Sequence, residues 1–335
     1  MKHWMLRKDA VFAWALVLVV VVSGCTGNGG EKDIATITLY GFSVLEEVHA
    51  QRIIPGFQAY WKEKTGQDVN FETSFAGSGT ITNQIIAGTP AEVAYLSHEL
   101  DAIRLREAGR VSTDWTGFQH DGIVSQTPFI IVVRKGNPKG IQDWADLTNE
   151  GVGVIHADPS TSGGAMWSIY GMYGSVLKTG GSSEEAAELL RGVDKNVVSM
   201  PSSARKAMTT FEAGIGDALI TYEEEALLAI RDGNEYEIVA PKSTIISENP
   251  VVIVDANVAE GERELVLGFI DYLWSEDAQA ALGDYGFVSH YDSINAKHPE
   301  LVTIEEPFKI DYLGGWEKAK ADLIDGVWSG IQQEE

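Results

Sequence analysis

The stretch ADPSTSGGAMWSIY, residues 157–170, places a Ser-Gly-Gly sequence directly before a run with the composition of a helix. Gly163 and Gly164 can adopt backbone angles that are closed to other residues. A loop of this kind presents main-chain N–H groups at a helix start, which is a favourable place for an anion. The sequence therefore predicts an anion-binding loop at Ser162, Gly163 and Gly164.

A second loop of the same kind occurs earlier, in SFAGSGTITNQII, residues 74–86. Ser78 and Gly79 again precede a helical pattern, with apolar residues at Ile81 and Ile85. Ser-Gly sequences also occur in ordinary turns, so neither loop decides a function alone. Two such loops on one chain suggest one ligand held between them.

Composition limits the classes of ligand. The chain has 335 residues, 44% of them hydrophobic, which is enough for about two domains. Lys plus Arg number 25 against 49 Asp plus Glu, so the formal net charge is −24. This charge argues against nucleic acid or anionic lipid as a partner. An anion would have to be bound by local dipoles.

The N-terminus has the pattern of an export signal. A basic head with Lys2, Arg7 and Lys8 precedes an apolar run at residues 11–22, which is too short to span a bilayer as a helix. The sequence VSGC that follows resembles the lipobox of prokaryotic lipoproteins, so we expect a lipid on Cys25, the only cysteine. Residues 1–24 are then a lipoprotein signal peptide and residues 25–33 a tether, with the protein anchored on the outer face of the cytoplasmic membrane.

Alternating strand and helix patterns predict an α/β fold with mainly parallel sheets flanked by helices. A long β-rich run at 123–135 and an apolar run at 251–255 enclose a second αβ set. We therefore expect two lobes, with residues 34–125 and 255–335 in lobe one and 126–254 in lobe two. Two strands cross between the lobes, and the carboxyl ends of the parallel strands face a cleft that closes as a hinge.

Several segments, in consistent order over nearly all of the chain after the tether, resemble the periplasmic sulfate-binding proteins that serve ABC importers. They are FQAYWKEKTGQDV (57–69), GSG (77–79), RKGNPKGIQDWADL (134–147), TSGGAMW (161–167), SSARKAMTTFEAGIGDALITYEEEALLA (202–229) and LGGWEKA (313–319). The resemblance implies a type II periplasmic-binding-protein fold, a sulfate or thiosulfate ligand held by neutral donors, permease subunits as partners and a monomer without a cofactor.

The resemblance also implies the ligand-binding residues. They are Ser78 and Gly79 on one side, Ser162, Gly163 and Gly164 on the other, and Ala204 and Tyr222 beside them. Arg205 falls where the family has an arginine, and we expect it to brace the loop or to tune the local field. Two positions depart from the family: Tyr222 replaces a tryptophan, and GFSVLEE, residues 41–47, lacks the usual aspartate, so that Ser43 or Val44 occupies that region.

Sulfate suits a site of donors, because the fully ionised dianion only accepts hydrogen bonds, whereas hydrogen phosphate also needs an acceptor. Asp158 and Glu223 lie near the loops in sequence, so phosphate, molybdate and tungstate stay open as alternative ligands. A turn role for Asp158 and a helix-cap role for Glu223 are the structural alternatives for these two carboxylates. A sensor lipoprotein without an importer is a further alternative.

Enzyme functions have little support in the sequence. The hydrolase elbow needs glycines two residues before and after its serine, but Ala76 and Thr80 flank Ser78 at those positions. The chain has no phosphate-binding G-x-x-x-x-G-K-S/T loop, and its seven histidines show no metal-ligand spacing. We therefore expect no catalytic residues and no metal, with a tethered hydrolase as the weakest alternative.

Overall fold

The computed structural model describes residues 34–334, which lie in one compact unit. The predicted signal peptide, the lipidation site at Cys25 and the tether fall outside the described residues. No helix in the described range is long and apolar enough to cross a membrane.

Ten strands form one sheet. They are β1 Ala35–Phe42, β2 Val69–Ala76, β3 Val93–Tyr95, β4 Ile123–Arg134, β5 Val154–Ile155, β6 Val197–Ser199, β7 Ala218–Tyr222, β8 Tyr236–Val239, β9 Ser243–Ile253 and β10 Glu306–Phe308. The strand order is β2-β1-β3-β9-β4-β7-β5-β6, with β8 paired to β4 and β10 paired to β9.

Helices cover this sheet. They are α1 Glu46–Val48, α2 Ile54–Thr65, α3 Ser78–Ile86, α4 Glu99–Glu107, α5 Gly163–Lys178, α6 Ser183–Asp194, α7 Ala204–Glu212, α8 Glu223–Arg231, α9 Arg263–Tyr272, α10 Glu276–Gly283, α11 Asp292–Asn295, α12 Trp316–Ala319 and α13 Ser329–Gln333. A 3-10 turn, Ser43–Leu45, precedes α1, and π-helical segments, His49–Ile53 and Lys320–Trp328, join α1 to α2 and α12 to α13.

The two long strands, β4 and β9, are the crossing strands of this fold. β9 pairs antiparallel with β3 at Val251–Ile253 and with β4 at 246–250, and β4 then pairs antiparallel with β7. On either side of them the neighbours are parallel: β1 with β2 and β3, and β5 with β6 and β7. The predicted arrangement of two mainly parallel halves joined by two strands is confirmed.

The C-terminal segment contacts both halves of the fold. The Trp316 ring packs against Trp167 and Tyr170 of α5, with centroids 4.7 and 6.1 Å away. Arg191 of α6 forms an ion pair with Glu334. Residues 316–334 thus contact the helices of the second half, and Trp316 also packs against His98 at the start of α4 in the first half, with ring centroids 5.2 Å apart. The lobe boundaries as a whole stay a prediction.

An aromatic cluster holds α2 to α9 in the first half. Phe57 of α2 is fully buried, and its ring lies within 6 Å of Trp61, Phe71, Phe269 and Tyr272. Such edge and tilted contacts add to the burial of the rings themselves.

We expect Phe57→Ala to lower the free energy of unfolding by about 3 to 5 kcal/mol, because it leaves a cavity at the centre of this cluster. Urea unfolding followed by circular dichroism measures the change. Val198→Ala is the control, since Val198 is 57% exposed and its truncation should stay within about 0.5 kcal/mol of the parent. Equal losses in the two variants would contradict the role of the cluster.

Candidate functional site

Three helix starts meet where the sequence placed its glycine loops. α3 begins at Ser78, α5 at Gly163 and α7 at Ala204. The Thr80 N–H donates to the Thr161 carbonyl at 3.3 Å, and the Thr161 hydroxyl donates to the Ser202 carbonyl at 3.0 Å. These bonds join the loops before the three helices. The first N–H groups of each helix have no partner within their helix, so the positive ends of three dipoles come together.

Gly77 allows the loops to approach. A Cβ at this position would lie 2.3 Å from the Thr161 oxygen and 2.6 Å from the Ser202 oxygen. Both neighbours are main-chain atoms, which cannot move without moving their loops. The site therefore depends on the absence of a side chain at Gly77.

Gly163 and Gly164 lie against a pair of buried hydroxyl groups. A Cβ on Gly163 would be 2.5 Å from Ser97 Oγ, and one on Gly164 would be 2.8 Å from the ring of Tyr222. The Ser97 and Tyr222 hydroxyl oxygens are 2.7 Å apart. The structure thus brings Tyr222 to the second glycine loop, as the sequence predicted.

The hydroxyl of Ser78 makes two hydrogen bonds within the protein. It donates to Asp101 Oδ2 at 2.7 Å and accepts from the Ser97 N–H at 3.1 Å. Because a serine hydroxyl has one hydrogen, the hydroxyl is no donor to a ligand in this arrangement. The main-chain N–H groups of Ser78 and Gly79 are the donors that α3 offers.

Ser162 lies at the N-cap of α5 and is 3% exposed. Its N–H donates to the Asp158 carbonyl at 2.8 Å, while its side chain makes no cap hydrogen bond. The donors of this loop are therefore the N–H groups of Gly163 and Gly164 and the Ser162 hydroxyl. Asp158 has the turn role considered above, since its carboxylate accepts from the N–H and the hydroxyl of Ser160.

Ser43 and Arg205 close the third side of the site. The Arg205 N–H, next to Ala204, donates to Ser43 Oγ at 3.5 Å, so the first loop of the chain contacts the start of α7. The Arg205 guanidinium lies 3.0 Å from Glu225 Oε1, whose side chain is fully buried. This ion pair joins α7 to α8.

Three consecutive glutamates, Glu223 to Glu225, are buried in the first turn of α8. Burial raises the pKa of Glu223 to about 8 and, despite the opposing effect of Arg205, that of Glu225 to about 7. Burial also raises the pKa of Glu224 well above its usual value, and this carboxyl accepts from the Thr127 hydroxyl of β4 at 2.6 Å. Proton retention by Glu223 and Glu224 lowers the negative charge beside the helix starts, whereas Glu225 is the charged partner of Arg205. Glu223 does not cap α8, because its carboxylate accepts from the Val302 N–H.

Sequence reasoning missed Ser97 and Asp101. Ser97 follows β3 directly and is 1% exposed, and Asp101 is 2% exposed on α4 and also accepts from Arg104 at 2.9 Å. The signal for Ser97 was present, because the carboxyl end of a parallel strand is where open sheets place ligand-binding residues.

Other parts of the described chain contribute nothing to this site. A cavity of about 440 Å³ lies beside the crossing strands, and it is lined by none of the predicted site residues. Within residues 34–334, no group of three or more His, Asp or Glu side chains is placed to hold a metal ion.

Comparison with known proteins bears on this geometry. A family model described as bacterial extracellular solute-binding protein matches residues 51–288. The sulfate-binding protein of Synechococcus elongatus is 35% identical over 94% of this chain and 93% of its own length. The sulfate-binding protein of Escherichia coli is 36% identical over 87% of this chain and 90% of its own length. The chain belongs to the bacterial extracellular solute-binding proteins. The predicted family, which includes these sulfate-binding relatives, is confirmed.

Solved structures of related proteins agree with this assignment. The sulfate-binding protein SubI of Mycobacterium tuberculosis is 30% identical, with a TM-score of 0.79 over 86% of this chain and 99% of its own. A periplasmic thiamin-binding protein, 15% identical with a TM-score of 0.71 over 91% and 97%, shares the fold alone. The predicted two-lobed α/β fold is that of these solute-binding neighbours.

We expect Gly77→Ala to lower the free energy of unfolding by about 1 to 3 kcal/mol, because the added Cβ forces apart three loops that meet through main-chain atoms. Differential scanning calorimetry of the ligand-free protein measures the effect. Gly330→Ala is the control, since a Cβ there meets nothing within 4 Å and α13 gains a better helix former. A Gly77 variant as stable as the Gly330 variant would show that the loops are not tightly joined.

We expect the free energy of unfolding to depend on pH through Glu223. Its pKa is raised from 4.5 in the unfolded chain to about 8 by burial, so the folded state holds one more proton between these values. Stability should therefore fall as the pH rises through this window, and Glu223→Gln should make the slope shallower. Urea unfolding at a series of pH values gives the two slopes. The exposed Glu63→Gln serves as the control for loss of a carboxyl group. Parallel profiles for the parent and Glu223→Gln would refute the effect.

Proposed function

We propose that this protein is the solute-binding component of an ABC importer, and that it captures sulfate or thiosulfate for delivery to permease subunits as a monomer. The single observation that carries the proposal is the meeting of three helix starts around buried, neutral donors. The relatives named sulfate-binding and thiosulfate-binding support the same ligand class: the thiosulfate-binding protein of Pseudomonas aeruginosa is 32% identical over 81% of this chain and 84% of its own length.

The proposed ligand contacts follow from the donors that the fold leaves available. They are the N–H groups of Ser78, Gly79, Gly163, Gly164 and Ala204, the Ser162 hydroxyl, and the Tyr222 hydroxyl, which is hydrogen-bonded to the hydroxyl of Ser97. We place Ser43 and Arg205 behind them, as the residues that fix the start of α7.

Main-chain N–H dipoles can bind a dianion even in a chain with a large negative net charge. With a formal net charge of −24, the protein repels anions at long range, and this repulsion is screened by salt. At short range, N–H groups aimed at one point in a buried site interact more strongly than they would in water. The fully ionised sulfate accepts hydrogen bonds from every direction, so each donor finds a partner.

The cellular setting is part of the proposal. A signal peptide over residues 1–24 and a lipid on Cys25 would hold the binding unit outside the cytoplasmic membrane, as the VSGC sequence indicates. Membership of the extracellular solute-binding family supports an exported protein. The same membership supports a binding role rather than catalysis.

Saturating sulfate should raise the melting temperature of the exported part by several degrees. A ligand at about 100 times its dissociation constant adds about 2.7 kcal/mol to native stability. Ser162→Asp should abolish the shift, because it adds a negative charge to a residue that is 3% exposed at the start of α5. A melting series with sulfate, thiosulfate, phosphate, molybdate and tungstate measures the preference.

Thr209→Asp is the matched control, since it adds the same charge on the exposed face of α7. This control variant should keep the sulfate shift. The proposal fails if no oxyanion moves the midpoint of the parent protein, and the sulfate preference fails if only phosphate, molybdate or tungstate does.

A further inference from the structure

The hydroxyl groups of Ser97 and Tyr222 form a buried pair at the candidate site. Their oxygens are 2.7 Å apart, and both residues are 1% exposed. The two residues lie 125 positions apart in the chain, so the contact is tertiary and joins the loop after β3 to the end of β7. The pair lies directly against Gly163 and Gly164, the first residues of α5.

Ser97 is held in place from three elements. Its N–H donates to Ser78 Oγ of α3 at 3.1 Å. Its carbonyl accepts from Trp167 Nε1 of α5 and from Asn249 Nδ2 of β9, each at 2.8 Å. The position of the Ser97 hydroxyl is therefore fixed by main-chain bonds that do not involve the hydroxyl itself.

The pair differs chemically from most other groups around it. Main-chain N–H groups only donate hydrogen bonds, and the hydrogen of Ser78 is committed to Asp101. Two hydroxyls bonded to each other use one of their two hydrogens, so the pair keeps one hydrogen and several lone pairs. Burial raises the pKa of Tyr222 well above its usual value, which keeps the phenol protonated. The pair can consequently donate to one ligand and accept from another by rotating its hydrogens.

We propose that the Ser97–Tyr222 hydroxyl pair determines which tetrahedral oxyanions the site accepts, and that it admits singly protonated oxyanions such as hydrogen phosphate in addition to sulfate. This inference rests on the proposed oxyanion-binding function. A site that leaves a buried polar group unpaired rejects the unsuitable ligand by about 10⁴-fold to 10⁵-fold. With an adjustable pair, the ratio of phosphate to sulfate dissociation constants should stay below about 10³.

The test is calorimetric titration of the protein at about pH 8, where inorganic phosphate and arsenate carry mainly one proton and sulfate and selenate carry none. The parent protein should bind all four. The double variant Ser97→Ala/Tyr222→Phe should lose roughly 10-fold or more in affinity for phosphate and arsenate beyond any loss for sulfate and selenate. A purely structural role would lower all four affinities together.

The chain supplies a matched control in a second buried pair, since the Tyr95 hydroxyl lies 2.7 Å from Ser125 Oγ. Tyr95→Phe removes a hydroxyl of the same kind that is not among the nearest neighbours of Gly163 or Gly164, and it should leave the affinity ratio unchanged. If sulfate binds and phosphate does not, or if the double variant keeps the parent ratio, the specificity inference is overturned while the proposed function stands. If none of the four anions binds, both are overturned.

Discussion

The close approach of three loops at Gly77 is the contact on which the rest of the site depends. Two carbonyl oxygens, from Thr161 and Ser202, occupy the space where any other residue would carry its Cβ. This approach brings the starts of α3, α5 and α7 together, although in the sequence they are spread from Ser78 to Ala204. A helix dipole stabilises a negative charge by a fraction of a kcal/mol at an exposed helix start, and by more at a buried one. Here three such dipoles point at the same place.

The sequence predicted those parts of the fold whose signals are local. A glycine loop after a strand and before an apolar run identified the starts of α3 and α5, and a long β-rich run and a second apolar run located the crossing strands. The π-helical segments that follow α1 and α12 were not predicted.

The rest of the site could not be predicted, because it arises from tertiary contacts. The partner of Tyr222 is 125 positions away, and although Ser97 follows β3 directly, the sequence does not show that the two hydroxyls meet. The run Glu223–Glu225 has the composition of a solvated helix start, yet β4, α7 and the segment at Val302 bury it. Burial of this kind, rather than residue type, raises the pKa of these carboxyls, and hydropathy along the chain does not record it.

The pairing of β9 also bears on the order in which the chain folds. Val93 of β3 pairs with Ile253 of β9, so β3, which has β1 on one side, lacks its second neighbour until the chain has been made to residue 253. Contacts of such long sequence separation must overcome loop-closure entropy before they contribute stability, and this slows folding. The first 120 residues therefore cannot complete their own half of the sheet, which is finished only once β9 has been made.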